Sequence, residues 1–203
     1  DLVGARPEQL ATGSGWRGGS DRLVRQLDAL ADDVAHLGIT VSMHAFTHDM
    51  SGWYATSTVV VVPFEDRRCA RAQPARPSQP CDGSRANTIT SQAFGRVVVE
   101  ATLTGRLVVT FAHGAAPEIA AALWDAEAAP LELLGRGVCL AGSIYLVAPL
   151  DEQGLVMAID AAIRMPPTES KLRVHYAQAR ARRYFSVEEF VKRTESVYDE
   201  VCK

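Results

Sequence analysis

The segment QAFGRVVVE places a glycine at the start of an expected helix and a glutamate one turn inside it. The first amides of a helix have no acceptor within the helix and lie at its positive end. The amides of Gly95, Arg96 and Val97 therefore predict a site for a phosphate or diphosphate. Glu100 can accept hydrogen bonds from vicinal hydroxyls, such as those of a ribose. The other interpretation is that Phe94 is a core residue and Glu100 a surface acid, and these residues alone leave the two open.

Strands and helices alternate along the chain on both sides of this segment. Apolar residues at helical spacing predict a helix over residues 21–37, which ends before Gly38. The segments ITVSMHAF, TVVVVP and RLVVTF are typical of strands, and the β-branched TVVVVP run favours a parallel strand that is covered on both faces. This alternation predicts an α/β fold, with a Rossmann-like parallel sheet and helices on both faces.

Residues 64–90 interrupt this alternation with three prolines, five arginines and few large apolar side chains. They predict a surface insert, which is either a solvated loop or a lid or loop that contacts the acceptor. Two helices are predicted in residues 166–203. The last begins at a capping box of Ser186 and Glu189, and an apolar stripe follows one of its faces.

Composition gives few restrictions on function. The 203 residues carry a net charge of -3 and are 47% apolar, which is typical of a globular protein and gives no general affinity for nucleic acid. The longest apolar run is too short to cross a bilayer. Four dispersed cysteines indicate reduced thiols in a cytoplasmic protein, with a disulfide between Cys69 and Cys81 as the alternative. The chain starts within an expected strand, DLVG, so we expect a fragment or one half of a larger protein.

The order of TVVVVPF, SQAFGRVVVEATLTGRLVVTFAHGAAPEI, YLVAPLDEQGLVMAI and FSVEEFVKRTESVYDEV resembles the C-terminal, donor-binding domain of retaining GT-B glycosyltransferases of the group 1, family 4 type. The resemblance implies that residues 1–165 form a nucleotide-sugar-binding domain. It implies that the helices of residues 166–203 pack on this domain or cross to a missing N-terminal half. The implied reaction moves a sugar from a nucleoside diphosphate sugar to an acceptor hydroxyl, with retention of configuration and without a metal or other cofactor.

The family's motif is a glutamate, seven residues and a second glutamate, built around a Phe-Gly pair. By resemblance, Glu100 is the second glutamate and binds the ribose, and the amides that follow Phe94 and Gly95 contact the diphosphate. Gln92 stands where the family has its first glutamate, which hydrogen-bonds the transferred sugar. Gln92 keeps a hydrogen-bonding side chain but has no negative charge, so the resemblance implies reduced stabilisation of a cationic transition state.

The segment AHGAAPEI resembles the family's Gly-Gly-x-Pro-Glu loop, with Gly114 kept and Ala115 in place of the second glycine. This resemblance implies that His113 and Gly114 line the donor sugar. An interpretation from helix physics is compatible with it: Pro117 starts a helix and Glu118 favours its positive end.

The segment SMHAFTHDM resembles the place where family members contact the nucleotide base, and the contact is implied for the main chain of Ala45, Phe46 and Thr47. His44 and His48 raise the possibility of a metal site. They lack the acidic or thiol partners that such a site needs, so no metal is predicted.

The family's basic pair, which neutralises the diphosphate, would precede residue 1, and Arg6 is the early candidate within the chain. Glu65 and Asp66 are candidates to replace the acid that is lost at Gln92. A second hypothesis is a catalytically impaired pseudo-glycosyltransferase that binds a nucleotide or a partner, and a third is a sugar-nucleotide epimerase of the same architecture. The sequence leaves the base, the sugar, the acceptor and any association with a membrane surface open.

Overall fold

The computed structural model describes a defined part of the chain: residues 50–63, 95–124 and 131–202, the strands Leu2–Val3 and Met43–His44, and positions 25, 28, 29, 31–33 and 35–37. By contacts along the backbone the chain divides into two compact units, residues 1–50 and residues 51–203.

The first unit contains a parallel pair of short strands, β1 (Leu2–Val3) and β2 (Met43–His44). Both lie in segments that the sequence predicts as strands. Between them, the described positions from 25 to 35 are helical, in agreement with the predicted helix over residues 21–37. A strand, a helix and a parallel strand in this order are the βαβ arrangement that the alternating pattern predicts.

The second unit contains five strands and six helices among its described residues. The strands are β3 (Val59–Val62), β4 (Leu107–Phe111), β5 (Glu132–Gly135), β6 (Val138–Ala141) and β7 (Ile144–Val147). The helices are α1 (Ser51–Thr56), α2 (Arg96–Leu103), α3 (Ala116–Leu123), α4 (Glu152–Arg164), α5 (Pro167–Tyr184) and α6 (Val187–Val201). The strands form one sheet in the order β3-β4-β7-β6-β5.

The sheet is mixed, whereas the sequence predicts a parallel one. β3, β4 and β7 are parallel, but β6 runs antiparallel to β7 and β5 antiparallel to β6. The physical reason is the length of the connections, because a parallel crossover needs a dozen residues or more. Only Gly142 and Ser143 separate β6 from β7, and Arg136 and Gly137 separate β5 from β6. The α/β class with helices on both faces is confirmed.

Alternate residues of the interior strand β4 face opposite sides of the sheet. Leu107, Val109 and Phe111 pack in one cluster with Ala158 and Ala162 of α4. Helices α2 and α3 pack on β4, β6 and β7 outside this cluster. The edge strand β3 is less covered than the sequence predicts, since Val59 and Val60 are only half-buried and Val61 is exposed.

Helix α5 lies across the C-terminal ends of α2 and α3. The Gln178 side chain donates a hydrogen bond to the carbonyl of Leu103 at 2.6 Å, and Arg180 donates to the carbonyl of Ala122 at 3.3 Å. These contacts provide donors for carbonyl groups that accept no hydrogen bond within their own helices. The sequence places the candidate site at the N-termini of α2 and α3. These lie at the ends of the two helices opposite to their contacts with α5.

Helix α6 begins as predicted, because the Ser186 hydroxyl accepts a hydrogen bond from the Glu189 amide at 3.1 Å. The Glu189 carboxylate does not complete a capping box; it accepts a hydrogen bond from Arg193 at 2.8 Å. No described residue of α6 is buried. Its predicted apolar stripe is exposed, with members Val187, Phe190, Val191, Val197, Tyr198 and Val201.

Candidate functional site

The candidate site lies where β3 and β4 end and where the connections to α2 and α3 begin. Val62 and Thr110 are paired at the ends of these parallel strands, and the Thr110 hydroxyl donates to the Val62 carbonyl at 3.0 Å. Open α/β sheets bind ligands outside the carboxyl ends of their strands. The observed topology therefore brings the start of α2 and the loop before α3 to the edge where a ligand is expected.

The N-terminus of α2 has no side-chain cap. Gly95 is the N-cap residue and adopts a left-handed conformation with φ 63° and ψ 42°. Its carbonyl accepts hydrogen bonds from the amides of Val98 and Val99 at 2.9 and 3.4 Å. Among the described residues, the amides of Arg96 and Val97 have no acceptor. Two unpaired amides at the positive end of a helix can bind an anion.

Gly95 has a structural reason to be glycine, besides the close ligand approach that the sequence suggests. Its positive φ is a conformation that side-chain-bearing residues rarely adopt. A Cβ at this position would also lie 3.2 Å from Cδ1 of Ile119 in α3. This contact places the start of α2 beside the first turns of α3, so the two predicted ligand-binding segments are neighbours.

Glu100 lies one turn inside α2, and its side chain is 39% exposed, so a ligand can reach it. Its Oε2 atom accepts a hydrogen bond from the hydroxyl of Tyr54 in α1 at 3.4 Å, and its Oε1 atom lies 3.3 Å from Arg96. Burial raises the pKa of Tyr54, and the negative charge and hydrogen bond of Glu100 raise it further. Glu100 is therefore part of a polar pair and is more than an isolated surface acid.

Tyr54 is absent from the residues that the sequence predicts for the site. The sequence gives no signal that would link it to Glu100, since 46 positions separate the two residues. A tyrosine within a short helix is also an ordinary packing residue. The pairing becomes visible only when α1 and α2 are seen side by side.

The loop before α3 has the shape of a tight turn. The His113 amide donates to the Phe111 carbonyl at 2.8 Å, and Gly114 has a φ of 58°. The Nε2 atom of His113 is buried without a hydrogen-bond partner among the described residues. The amides of Gly114 and Ala115 likewise have no acceptor in the described part of the chain. This loop can therefore offer the amides of Gly114 and Ala115 to a ligand.

Helix α3 confirms the helix-physics interpretation of AHGAAPEI. Pro117 lies at the start of the helix and Glu118 in its first turn. Ala115 is the N-cap residue with φ -79° and ψ -6°, a conformation that an alanine adopts without strain. The alanine in place of the family's second glycine is thus compatible with the backbone that the loop adopts. The donor-sugar role of His113 and Gly114 stays a prediction.

Several predicted site residues lie outside the described residues: Ala45, Phe46, Thr47, Gln92 and Phe94. The same holds for Arg6, His48, Glu65, Asp66, Cys69 and Cys81, and for the insert at 64–90. Within the described part of the chain, Cys202 is a free thiol, and no group of three or more metal-ligating side chains occurs. None of the described helices combines the length and the apolar character needed to cross a membrane.

No protein-family model matches the sequence, and no curated protein matches it significantly. Among solved structures, the chain is similar to sucrose-phosphate synthase from Thermosynechococcus elongatus, with a TM-score of 0.56 and 19% sequence identity. The fold is that of the C-terminal half of a GT-B glycosyltransferase. The similarity covers 98% of this chain but 37% of the synthase chain, so this chain spans little more than a third of that protein's length.

Proposed function

We propose that this chain is the donor-binding part of a glycosyltransferase that moves a sugar from a nucleoside diphosphate sugar to an acceptor hydroxyl, with retention of configuration. One observation carries the proposal. In a GT-B fold, the N-terminus of α2 has unpaired amides at Arg96 and Val97, and the exposed part of the Glu100 carboxylate lies one turn further along the same helix. A diphosphate at the helix N-terminus and a ribose at Glu100 would match these groups.

Each group has a defined task in the proposed reaction. The amides of Arg96 and Val97 stabilise the negative charge of the diphosphate as it leaves, and Glu100 accepts hydrogen bonds from the ribose hydroxyls. Gln92 orients the transferred sugar. Because it carries no charge, it stabilises a cationic transition state less than a glutamate would, by an amount on the order of 2.7–4 kcal/mol. Turnover is then slow without being abolished.

The family resemblance supplies further proposed contacts with the donor. His113 and Gly114 line the sugar, and the main chain of Ala45, Phe46 and Thr47 contacts the base. The reaction uses no metal and no other cofactor. The acceptor, whose identity is open, binds to an N-terminal half beyond this chain, so we expect residues 1–203 to bind a donor and to catalyse little transfer.

Calorimetric titration of the chain with UDP, GDP and ADP tests the donor site. We expect one of the three nucleotides to bind, and Glu100→Ala to weaken its binding by about tenfold or more, which corresponds to roughly 1.4 kcal/mol. The matched control is Asp160→Ala. Asp160 is an exposed acid on α4 that also pairs with an arginine four positions away, at 2.7 Å, so the control removes the same charge from the same kind of pair.

Two results would contradict the proposal. One is the absence of binding by all three nucleotides in a chain that circular dichroism shows to be folded. The other is equal weakening by Glu100→Ala and Asp160→Ala, which would indicate a general effect of charge and no specific ribose contact.

The substitution at Gln92 supports a second candidate, a pseudo-glycosyltransferase that binds a nucleotide or a partner without transfer. Ala115, in place of a family glycine, points the same way. The two candidates differ in their response to Gln92→Glu in a protein that also contains the acceptor-binding half. A rise in turnover of about tenfold or more identifies an enzyme whose turnover is limited by the uncharged side chain at position 92. Nucleotide binding with no transfer in either form identifies a binding module.

A further inference from the structure

Tyr54 and Glu100 connect two helices that are far apart in sequence. Tyr54 is 5% exposed, and its hydroxyl donates to Oε2 of Glu100 at 3.4 Å. It is the buried residue of α1, a six-residue helix. A buried hydroxyl needs a hydrogen-bond partner, and Glu100 provides it. The contact is thus a polar link between α1 and α2, the helix that carries Glu100, the candidate ribose-binding residue.

The two contacts of the Glu100 carboxylate differ in strength. The Arg96 side chain is 82% exposed, so its attraction for Oε1 is screened by water and contributes little to holding the carboxylate. Tyr54 is itself buried, so its contact with the carboxylate is less screened by water. The orientation of the carboxylate therefore depends mainly on Tyr54.

The carboxylate keeps acceptor capacity for a ligand. A carboxylate offers about four lone-pair sites on its two oxygens. Tyr54 uses one site on Oε2 and Arg96 one site on Oε1, which leaves one on each oxygen. Two acceptors of this kind, about 2 Å apart, match the two hydroxyl donors of a vicinal diol. A carboxylate that rotates about its last bond would lose this match.

Arg106 holds the backbone next to Tyr54. Its guanidinium donates to the carbonyl of Ala55 at 2.6 Å, at the C-terminal end of α1, where a cation is favoured. Its Nε atom is buried and has no hydrogen-bond partner in the described part of the chain. Arg106 follows α2 closely in sequence, so the segment that leaves α2 also fixes the helix that carries Tyr54.

We propose that Tyr54 is a positioning residue: its hydroxyl holds the Glu100 carboxylate in the orientation that accepts both hydroxyls of a vicinal diol on the bound nucleotide. This inference rests on the proposed function. It assigns to α1 a role in recognition of the ribose, although α1 need not touch the ligand.

The test compares each ribonucleotide with its 2′-deoxy counterpart, using UDP, GDP, ADP and the three 2′-deoxynucleoside diphosphates as probes in calorimetry of the complete chain. We expect the wild-type chain to prefer the ribonucleotide. Tyr54→Phe removes a single oxygen and should reduce this preference by roughly three- to tenfold, the effect of one weakened hydrogen bond. A purely structural role would weaken both nucleotides equally and leave the ratio of their affinities unchanged.

Two further variants sharpen the test. Tyr145→Phe removes the hydroxyl of another buried tyrosine, which lies in the cluster on the α4 face of the sheet, and should leave the ratio unchanged. In a Glu100→Gln background, Tyr54→Phe should cause no further change in the ratio, because the group that it positions is already altered. If Tyr54→Phe fails to fold, Arg106→Met replaces it and should lower the ratio in the same direction.

The outcomes separate the inference from the function on which it rests. Nucleotide binding with an unchanged ratio in the Tyr54→Phe chain, or in the Arg106→Met chain that replaces it, overturns the positioning role and leaves the proposed function intact. The absence of nucleotide binding by the folded wild-type chain overturns both.

Discussion

The carboxylate of Asp151 accepts a hydrogen bond from the amide of Gly154 at 2.9 Å and fills the space into which a side chain at position 154 would project. The bond caps the N-terminus of α4. A Cβ at position 154 would lie 2.6 Å from Oδ2 of Asp151 and 3.1 Å from a methyl group of Val147. The Asp151 cap therefore requires a residue without a side chain at position 154.

We expect Gly154→Ala to lower the free energy of unfolding by about 1–3 kcal/mol, because the added methyl group displaces the Asp151 carboxylate from its bond. Urea denaturation of the wild-type and variant chains measures the change. The Asp151→Ala background provides the control. There the added methyl no longer meets the carboxylate, and alanine is a better helix former than glycine by about 1 kcal/mol, so Gly154→Ala should cost much less. An equal cost in both backgrounds would show that Asp151 is not the obstacle.

Gly95→Ala should destabilise the chain by about 1–2 kcal/mol even without a ligand, because the left-handed backbone at this position is unfavourable for alanine. The contact with Ile119 adds to the cost. The matched control is Gly52→Ala in α1, where a Cβ would meet no atom within 4 Å and the φ is not positive. Chemical denaturation of the two variants should therefore separate them. Equal stability would indicate that Gly95 is required only for ligand approach.

Stability should fall at alkaline pH because of Tyr145. Burial raises the pKa of this tyrosine from 10.0 to about 12; Arg173 opposes the rise, and Glu169 and Glu132 add to it. Between these values the unfolded chain has released its proton and the folded chain has not. The stabilisation is thus complete below pH 10 and is lost as the pH rises toward 12, by about 1.4 kcal/mol per pH unit.

Denaturation of the wild-type and Tyr145→Phe chains at a series of pH values from 9 to 11 checks this slope. The variant should lack the contribution of Tyr145, so its curve should fall less steeply above pH 10. Tyr198→Phe is the control, since it removes the hydroxyl of a tyrosine that is exposed on α6. Parallel curves for the wild-type and Tyr145→Phe chains would contradict the prediction.

The two C-terminal helices should differ in their importance for stability. A chain that ends at Ser186 loses only α6, in which no described residue is buried and whose Arg193 lies 3.7 Å from the centre of the Tyr184 ring. We expect a loss below about 1 kcal/mol, the value of an exposed cation–π contact. A chain that ends at Pro166 also loses the buried residues Ala177 and Ala181 and the bonds of α5 to α2 and α3.

For this shorter chain we expect a loss of roughly 3 kcal/mol or more, because apolar surface of α2 and α3 becomes exposed and carbonyl groups lose their partners. Thermal unfolding of both truncated chains compares the losses directly. Similar losses would show that α6 contributes to the core to the same degree as α5, which would contradict the exposure of its residues.

Patterns that depend on neighbouring residues predicted much of the fold. The helical spacing around Val98 and Val99 and the β-branched runs of β3 and β4 each report a local preference, and the structure confirms them. The strand β5 was not predicted. Its sequence, ELLG, is short and half-exposed, and it pairs with β6 through a tight turn at Arg136 and Gly137.

In the candidate site, too, the features that depend on neighbouring residues could be predicted and those that connect distant residues could not. The anion-binding end of α2 could be predicted because Gly95 and the amides after it are contiguous in sequence. The link between Tyr54 and Glu100 could not, since it depends on the side-by-side placement of α1 and α2 and on the anchoring of α1 by Arg106. A binding site formed by contiguous residues can be predicted from the sequence. A contact between residues of separate segments can be identified only from the fold.

The hydrogen bonds from Gln178 to Leu103 and from Arg180 to Ala122 span 75 and 58 positions of the chain. During translation, both helices of the candidate site leave the ribosome well before α5 does. At a synthesis rate of about 5–20 residues per second, roughly 3–15 seconds pass before Gln178 and Arg180, which donate these hydrogen bonds, are added to the chain. In that interval the nascent chain exposes unpaired carbonyl groups and the apolar surface that α5 later covers.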